Sequence, residues 1–331
     1  MAGASLAGFQ FYVKQESTSG TANVTSMIQP DGLRNVRLGR GGSPEVFRGG
    51  TGKTATGVIL ADTWGEWSMD LAPCYRTIGL VAASRIATPT SGLASGASAA
   101  YEHVFALNVD DVDTPESYTF VWGGAAARFQ AVYGMFQSLG FDATRGSISC
   151  STSAISRKPS SGASAPTSPT TMLTKTIQPN QADGWIDGSW ATLGTTQSLI
   201  LYRFNLSAPD KYDLDAPINS SIDSYATLVE KEDQAISLDL AVALDSTGLT
   251  YITDFDEGDQ IAVRYKVEGP EIETGHNYTI QWDVLAHITS IGTVEPAPNS
   301  NVAVLPLSCE IASDGTDALE LTLINDVSSY T

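Results

Sequence analysis

Residues 54–71, TATGVILADTWGEWSMDL, decide the fold of this chain, because their second part alternates between polar and apolar side chains. The alternation runs through Glu66, Trp67, Ser68, Met69, Asp70 and Leu71. Successive side chains of a β-strand point to opposite faces of its sheet. The pattern therefore predicts a strand at 57–71 with one apolar face and one small or acidic face.

A second stretch with this alternation, residues 236–245 (ISLDLAVALD), lies in the other half of the chain. Its polar positions also hold only small or acidic side chains, without Lys or Arg. A solvated face usually mixes charges of both signs. A face that lacks cations in two strands suggests a wall that does not hold polyanions.

Composition bounds the class of protein. The chain has 331 residues, which predicts about two domains. Residues 1–160 hold 12 Lys or Arg and 12 Asp or Glu, whereas residues 161–331 hold 6 and 25, so the whole net charge of −19 belongs to the second half. Binding of nucleic acid through its phosphates requires clustered cations, which this balance disfavours. Acidity that serves solubility alone is the alternative.

The sequence predicts neither a targeting segment nor a site built from cysteines. Cys74, Cys150 and Cys309 are far apart and show no CxxC or Cys/His spacing, so we expect free, mostly buried thiols without zinc or disulfides. The first residues do not read as a signal peptide, and no run of about 18 apolar residues predicts a membrane span.

The order of predicted elements repeats between the two halves, which favours duplication. Each half is predicted to hold β-strands and one short helix, at about 73–86 in the first and 246–256 in the second. A Ser/Pro/Thr-rich linker at 159–175 divides a first domain, 1–158, from a second, 176–331. The fold class is mainly β, with two sandwich or barrel domains.

The motifs that resemble phosphate, calcium or catalytic sites do not predict catalysis, a cofactor or a metal. The stretch 48–54, RGGTGKT, has Phe47 where a phosphate loop needs Gly. The acidic turn 254–259 has its Gly one place early for a calcium loop. Neither His103 nor His287 lies in a known catalytic motif. We expect a protein that is not an enzyme.

Residues 31–53 concentrate cations, since five of the chain's 18 Lys and Arg residues fall within them. With seven glycines, the segment reads as a long loop. It is either a solvated loop or an arm that docks on an acidic neighbour through arginine donors. The candidate contact residues are Arg34, Arg37, Arg40, Arg48 and Lys53.

Together, several stretches resemble the major tail tube proteins of long-tailed (siphovirus-type) bacteriophages. They are patterns of residue type that cover most of the chain. The strongest are LGRGG at 38–42 with GKTATG at 52–57, YEHVFAL at 101–107, YTFVW at 118–122, GMFQSLGFDA at 134–143, VLPLSCEIA at 304–312 and ALELTLIN at 318–325.

The resemblance implies a structural virion protein whose subunits form rings with a continuous inner β-barrel, stacked into a tube through which DNA passes into the host. It implies assembly in the host cytoplasm, a place in the virion tail, no membrane contact and no cofactor. The implied partners are further copies of the chain, a tape measure protein, a tail terminator and baseplate or tail tip proteins.

In this picture certain acidic residues face the lumen, and the segment 31–53 with its five cations is the loop between rings. The lumen candidates are Asp62, Glu66, Asp70, Asp239 and Asp245. If both halves are tube folds, three chains make a ring, which we favour. If the second half is a decoration, six chains are needed.

Two other function classes stay open. A two-domain sandwich on a cell or virion surface could bind glycans, with Trp185 and Trp190 as the exposed aromatic candidates. A hydrolase would need a His, carboxylate and Ser cluster that the sequence does not predict.

Overall fold

A computed structural model gives the fold, which is mainly β with two short helices. It describes residues 9–42, 63–109, 116–125, 127–195, 197–198, 200–215, 224–231, 235–298 and 301–330, and the backbone alone of 45–48 and 55–59. Within this described part, neither helix is long and apolar enough to cross a membrane.

The first half of the chain contains one helix among short and long strands. Its elements are β1 Gln10–Gln15, β2 Ile28–Pro30, β3 Leu33–Gly41, β4 Glu45–Arg48, β5 Ala55–Ile59, β6 Trp64–Leu71, α1 Thr77–Arg85, β7 Thr90–Leu93, β8 Tyr101–Ala106, β9 Tyr118–Gly123, β10 Arg128–Thr144, β11 Ile148–Arg157 and β12 Ser160–Ser161.

The second half has the same character, with 3-10 turns at Pro179–Gln181 and Trp190–Thr192. Its elements are β13 Thr170–Met172, β14 Ala182–Asp187, β15 Leu201–Ala208, β16 Tyr212–Asp215, β17 Thr227–Glu230, β18 Ser237–Ala243, α2 Thr250–Glu257, β19 Gln260–Glu273, β20 His276–Ile291, β21 Glu295–Pro296, β22 Ala303–Ile311 and β23 Leu319–Asn325.

Both alternating stretches contain strands, but the single strand predicted at 57–71 is wrong in extent. The structure has β5 and β6 there, and they lie in different sheets. In β6 the side chains of Trp67, Met69 and Leu71 are buried, whereas Glu66, Ser68 and Asp70 are exposed. In β18 Leu238 and Leu240 are buried, whereas Asp239 between them is half-buried. The period-two pattern thus identified both strands and their inner faces.

One antiparallel sheet, which we call the long sheet, runs through both halves of the chain. Its strand order is β3–β6–β11–β10–β15–β18–β22–β20. No series of pairings among the described strands returns to its starting strand. The sheet of a single chain is therefore open, and the predicted barrel alternative is wrong at this level.

The long strands β10 and β20 extend beyond the long sheet into a second layer. The first part of β10 pairs with β9, which pairs with β1. In the same way β20 pairs with β19, which pairs with β14. On the other side of β20, β23 connects to β8 and β7. The core fills the space between the layers.

The long sheet is a structural duplication. We define repeat 1 as β3, β6, β10 and β11 with α1, and repeat 2 as β15, β18, β20 and β22 with α2. Each repeat has its four strands in the same sheet order, first, second, fourth and third, and its helix follows the second strand. This agreement supports the duplication favoured by the sequence.

Matching β-bulges fix which positions of the two repeats are equivalent. The β10–β11 ladder shifts register between Phe136 and Ser138, and the β20–β22 ladder shifts between Ile288 and Ser290. Counting outward from the bulges, Gly140 is equivalent to Gly292. A bulge adds one unpaired residue and bends its strand, so its recurrence implies the same local bend in both repeats.

The two repeats meet inside the chain where β10 pairs with β15, a ladder that we call the repeat junction. Its register runs from Leu139 opposite Ala208 to Thr144 opposite Arg203. The core is also continuous across it, because the rings of Phe141 and Phe204 lie 6.2 Å apart between centroids. The division into two domains stays a prediction.

The predicted linker at 159–175 is held by backbone pairing. Ser160–Ser161 pairs with β10, and Thr170–Met172 runs parallel to β2. Main-chain hydrogen bonds need no apolar side chains, so the Ser/Thr-rich composition did not reveal them.

The predicted loop at 31–53 begins as a strand. Residues 33–41 form β3, which pairs with β6 across a bulge between Arg34 and Arg37. Leu33 is buried and Leu38 packs partly against the core, which anchors the strand. The glycines suggested mobility, but β6 offers an edge on which this segment can pair.

Candidate functional site

The side of the long sheet that points away from the core carries small and acidic side chains, and we call it the polar face. Directly opposed residues of an antiparallel ladder share a face, so one row can be followed across six strands. The row consists of Asp70, Ser151, Gly140, Ser207, Ser237 and Glu310.

Three of the five lumen candidates lie on this face. Glu66 and Asp70 stand on β6, and Asp239 stands on β18 four strands away, at a distance of roughly 19 Å from strand spacing. The sheet therefore places acidic positions from both halves on one side. Asp62 lies outside the described residues.

Asp245 was expected at the end of a strand, but β18 ends at Ala243. The Asp245 carboxylate accepts hydrogen bonds from the backbone N–H groups of Thr247 and Gly248, both at 2.9 Å. An aspartate commonly closes a turn in this way. Asp245 thus belongs to the turn before α2, and the prediction of a strand position for it is wrong.

The polar face also carries arginines, contrary to the cation-free wall that β6 and β18 suggested. Arg34 and Arg37 stand opposite Asp70 and Ser68. Across the repeat junction, Arg203 Nε lies 3.0 Å from Asp142 Oδ1. Neighbours in a sheet come from distant parts of the sequence, so the pattern of a single strand does not predict these pairs.

The candidates for contacts between rings lie partly within the described residues. Arg34, Arg37 and Arg40 are exposed on β3. Nothing is described of the Arg48 side chain or of Lys53. The phosphate-loop-like stretch also falls in this part of the chain.

Two edges of the long sheet have no partner strand within the described residues. One is the outer edge of β3, which pairs only with β6. The other begins where β19 ends its pairing with β20, at Gln260 opposite His287. From there the segment 288–296 is held by β22 on one side only. Unpaired edges expose backbone donors and acceptors that can pair with another chain.

The two helices differ in how far other parts of the chain cover them. All nine residues of α1 are buried, whereas Tyr251 is the buried residue of α2. Leu249 and Phe255 are 50% and 38% exposed. Large apolar side chains gain free energy when they leave water, so the surface of α2 is suited to further contact.

A hairpin from repeat 2 covers part of repeat 1. We call residues 209–215 and 224–231, which include β16 and β17, the covering hairpin. Tyr212 Oη donates to the Ser84 carbonyl oxygen at 2.8 Å, and Lys211 Nζ donates to the Ile86 carbonyl oxygen at 3.2 Å. A cation suits the negative end of a helix, so Lys211 complements the C-terminus of α1.

The covering hairpin also closes over one end of the long sheet. Its Tyr212, Tyr225 and Leu228 form a buried cluster with Met135 and Ile155. Tyr225 Oη donates to the Tyr133 carbonyl oxygen at 2.7 Å. The hairpin follows β15 directly in sequence. The pairing of β15 with β10 at the repeat junction therefore brings the hairpin next to repeat 1.

The C-terminal end of α2 is acidic instead. Asp254, Asp256, Glu257 and Asp259 fall within six residues without a cation. Burial, followed by the charges of Asp259 and Glu257, raises the pKa of Asp254. Carboxylates at the negative end of a helix are unfavourable, so this end is suited to a cationic neighbour.

The other candidate sites gain little support from the geometry. Trp185 and Trp190 are half-buried. Ser91 Oγ lies 2.8 Å from His103 Nδ1, but the other ring nitrogen contacts the Val327 carbonyl oxygen at 2.8 Å, where a triad would need a carboxylate. Among the described side chains, no group of three or more His, Cys, Asp or Glu is placed to hold a metal ion.

No protein-family model matches the chain, and no curated protein is similar to it.

Proposed function

We propose that the chain is a structural protein that assembles side by side into rings, and that the rings stack into a tube whose bore is lined by the polar face. This is the role of the tail tube proteins that the sequence resembles, in a virion tail that conducts DNA.

The observation that carries the proposal is the repeat junction between two equivalent four-stranded units. The chain already joins one unit to the next through β10 and β15, and it leaves a free edge at each end of the eight-stranded row. A sheet with two complementary free edges can close on itself through further copies, which removes both edges.

Ring size follows from strand number. Eight strands per chain, spaced at about 4.8 Å and tilted by about 40°, would give three chains a barrel roughly 50 Å across between backbones. That diameter leaves room for a DNA duplex once side chains fill the wall. Six chains would double the diameter and leave a bore far wider than the duplex. A ring of three is therefore favoured.

The chemistry of the polar face suits a conduit. Its acidic side chains outnumber its basic ones, and Asp142 pairs with Arg203 across the repeat junction. Small serines fill the centre of the face. Such a wall presents few unpaired cations to phosphate, so DNA would pass without being retained.

Electron microscopy of the purified, concentrated protein tests the proposal. We expect rings with a central bore, stacked into tubes, and threefold symmetry in class averages. A compact monomer at all concentrations, measured in parallel by sedimentation, would contradict the proposal. Rings of six chains would contradict only the copy number.

A further inference from the structure

The contact between copies can be specified more closely, on the premise of the proposed function. We propose that it reproduces the repeat junction. The outer edge of β3 in one copy pairs with residues 288–296 of a second copy. The connection that follows β3 then docks where His287, Glu310 and the C-terminal end of α2 meet.

The register follows from the equivalent positions. Inside the chain, Gly140 stands opposite Ser207. Gly292 is equivalent to Gly140 by the matched bulges. Gly39 is equivalent to Ser207, because they stand opposite the equivalent residues Glu66 and Ser237. Gly292 of one copy therefore stands opposite Gly39 of the next. The register is counted only to Gly292, because the pairing with β22 shifts again before Glu295.

The docking surface follows from the same equivalence. The covering hairpin packs on Met135 and Ile155, whose equivalents in repeat 2 are His287 and Glu310. Both equivalents are exposed. In repeat 2 this hairpin lies in the connection from the first strand, β15, to the second, β18. The same connection in repeat 1 itself, between β3 and β6, also contains a hairpin, β4 with β5.

The covering hairpin makes an apolar contact with repeat 1, whereas the equivalent surface of repeat 2 is charged. The repeat 2 surface is acidic at Glu310, Asp256 and Glu257, and the exposed Arg40 lies at the end of β3, next to the incoming connection. Phe255 on α2 and Val294 beside the free edge are 38% and 45% exposed. Opposite charge and unburied apolar area thus occur where the repeat junction predicts a partner.

Disulfide cross-linking tests the register. We expect the double variant Gly39→Cys with Gly292→Cys to form covalent multimers on oxidation, ending at the closed ring. The matched control, Arg40→Cys with Gly292→Cys, is out of register and on the opposite face, so it should not cross-link. The two single variants measure any cross-linking that involves the three native cysteines. Rings without cross-links, or equal cross-linking in the control, would overturn the proposed contact but not the proposed function.

Charge reversal tests the docking surface. We expect Glu310→Lys to raise the concentration needed for ring assembly by about tenfold or more, measured by sedimentation, with the chain still folded by circular dichroism. Glu102→Lys on β8 is the control and should leave assembly unchanged. An unchanged assembly concentration in Glu310→Lys, or an equal loss in both variants, would overturn the surface. Absence of rings from the unmodified protein would overturn both proposals.

Discussion

Repeat 1 and repeat 2 share their strand order and their bulges but differ in how well they are covered. All of α1 is buried under neighbouring elements, which include a hairpin donated by repeat 2. Most of α2 is exposed, and no equivalent hairpin lies over it in the described part of the chain. Repeat 1 is thus completed within the chain, whereas repeat 2 is not.

The difference shows how one architecture can carry two kinds of surface. At the equivalent positions, repeat 1 has Met135 and Ile155, and repeat 2 has His287 and Glu310. An apolar pair suits a permanent cover, because its burial is maintained from folding onward. A polar pair such as His287 and Glu310 is compatible with exposure to water until another copy covers it.

Removing a buried aromatic side chain from the covering hairpin should have the largest effect on the free energy of unfolding. Tyr225 is 1% exposed, and we expect Tyr225→Ala to lower the free energy of unfolding by about 3–5 kcal/mol through loss of a buried aromatic side chain. Val229→Ala, at a half-exposed position of the same hairpin, should cost less than about 0.5 kcal/mol. Urea unfolding measures both, and equal costs would mean that the hairpin does not cover repeat 1.

Hydrogen exchange should separate the two helices. We expect amides of α2 to open with a free energy about 2–3 kcal/mol below that of α1 in the isolated chain, because few buried contacts hold α2. Mass spectrometry of exchanged peptides makes the measurement. Protection of α2 equal to that of α1 in the monomer would remove the difference on which the comparison rests.

Single hydroxyl deletions sharpen the comparison. Tyr212→Phe removes the buried hydrogen bond to the Ser84 carbonyl oxygen and should cost about 1–1.5 kcal/mol. Tyr251→Phe on α2 removes a hydroxyl without a described partner, so we expect little change in the free energy of unfolding. Chemical denaturation of both variants tests the pair, and a larger loss for Tyr251→Phe would contradict it.

Acidification should weaken the cover of α1 by a smaller amount. His103 packs on Tyr330, whose hydroxyl donates to the Arg76 carbonyl oxygen just before α1. Burial lowers the pKa of His103 below 6.5, so the unfolded chain binds its proton first as pH falls. Stability therefore decreases as pH falls below about 6.5. Unfolding curves between pH 7.5 and 5.5 should lose this slope in His103→Gln but keep it in His276→Gln.

Much of the fold could be predicted from the sequence because the informative strands face a core on one side. The alternation in β6 and β18 gave their inner faces correctly, and the repeated order of elements agrees with the duplicated sheet. The predicted helix at 73–86 contains α1. Periodicity succeeds where burial is one-sided.

Features that depend on spatial neighbours could not be predicted in this way. The Gly and Arg residues of β3 are typical of a loop, and this strand forms because the edge of β6 is available for pairing. Glu16 is 6% exposed and accepts hydrogen bonds from Ser117, Thr119 and the backbone of Tyr133, more than 100 residues away. Single-strand patterns contain no information on such distant donors.

The repeat junction has a kinetic consequence for any closed assembly. Covalent linkage holds β15 beside β10 at a high effective concentration, so this contact forms without a bimolecular encounter. In a ring of three, half of the six contacts between repeats would already exist in each newly folded chain. Nucleation would then need few collisions, and incomplete rings would have fewer ways to arise.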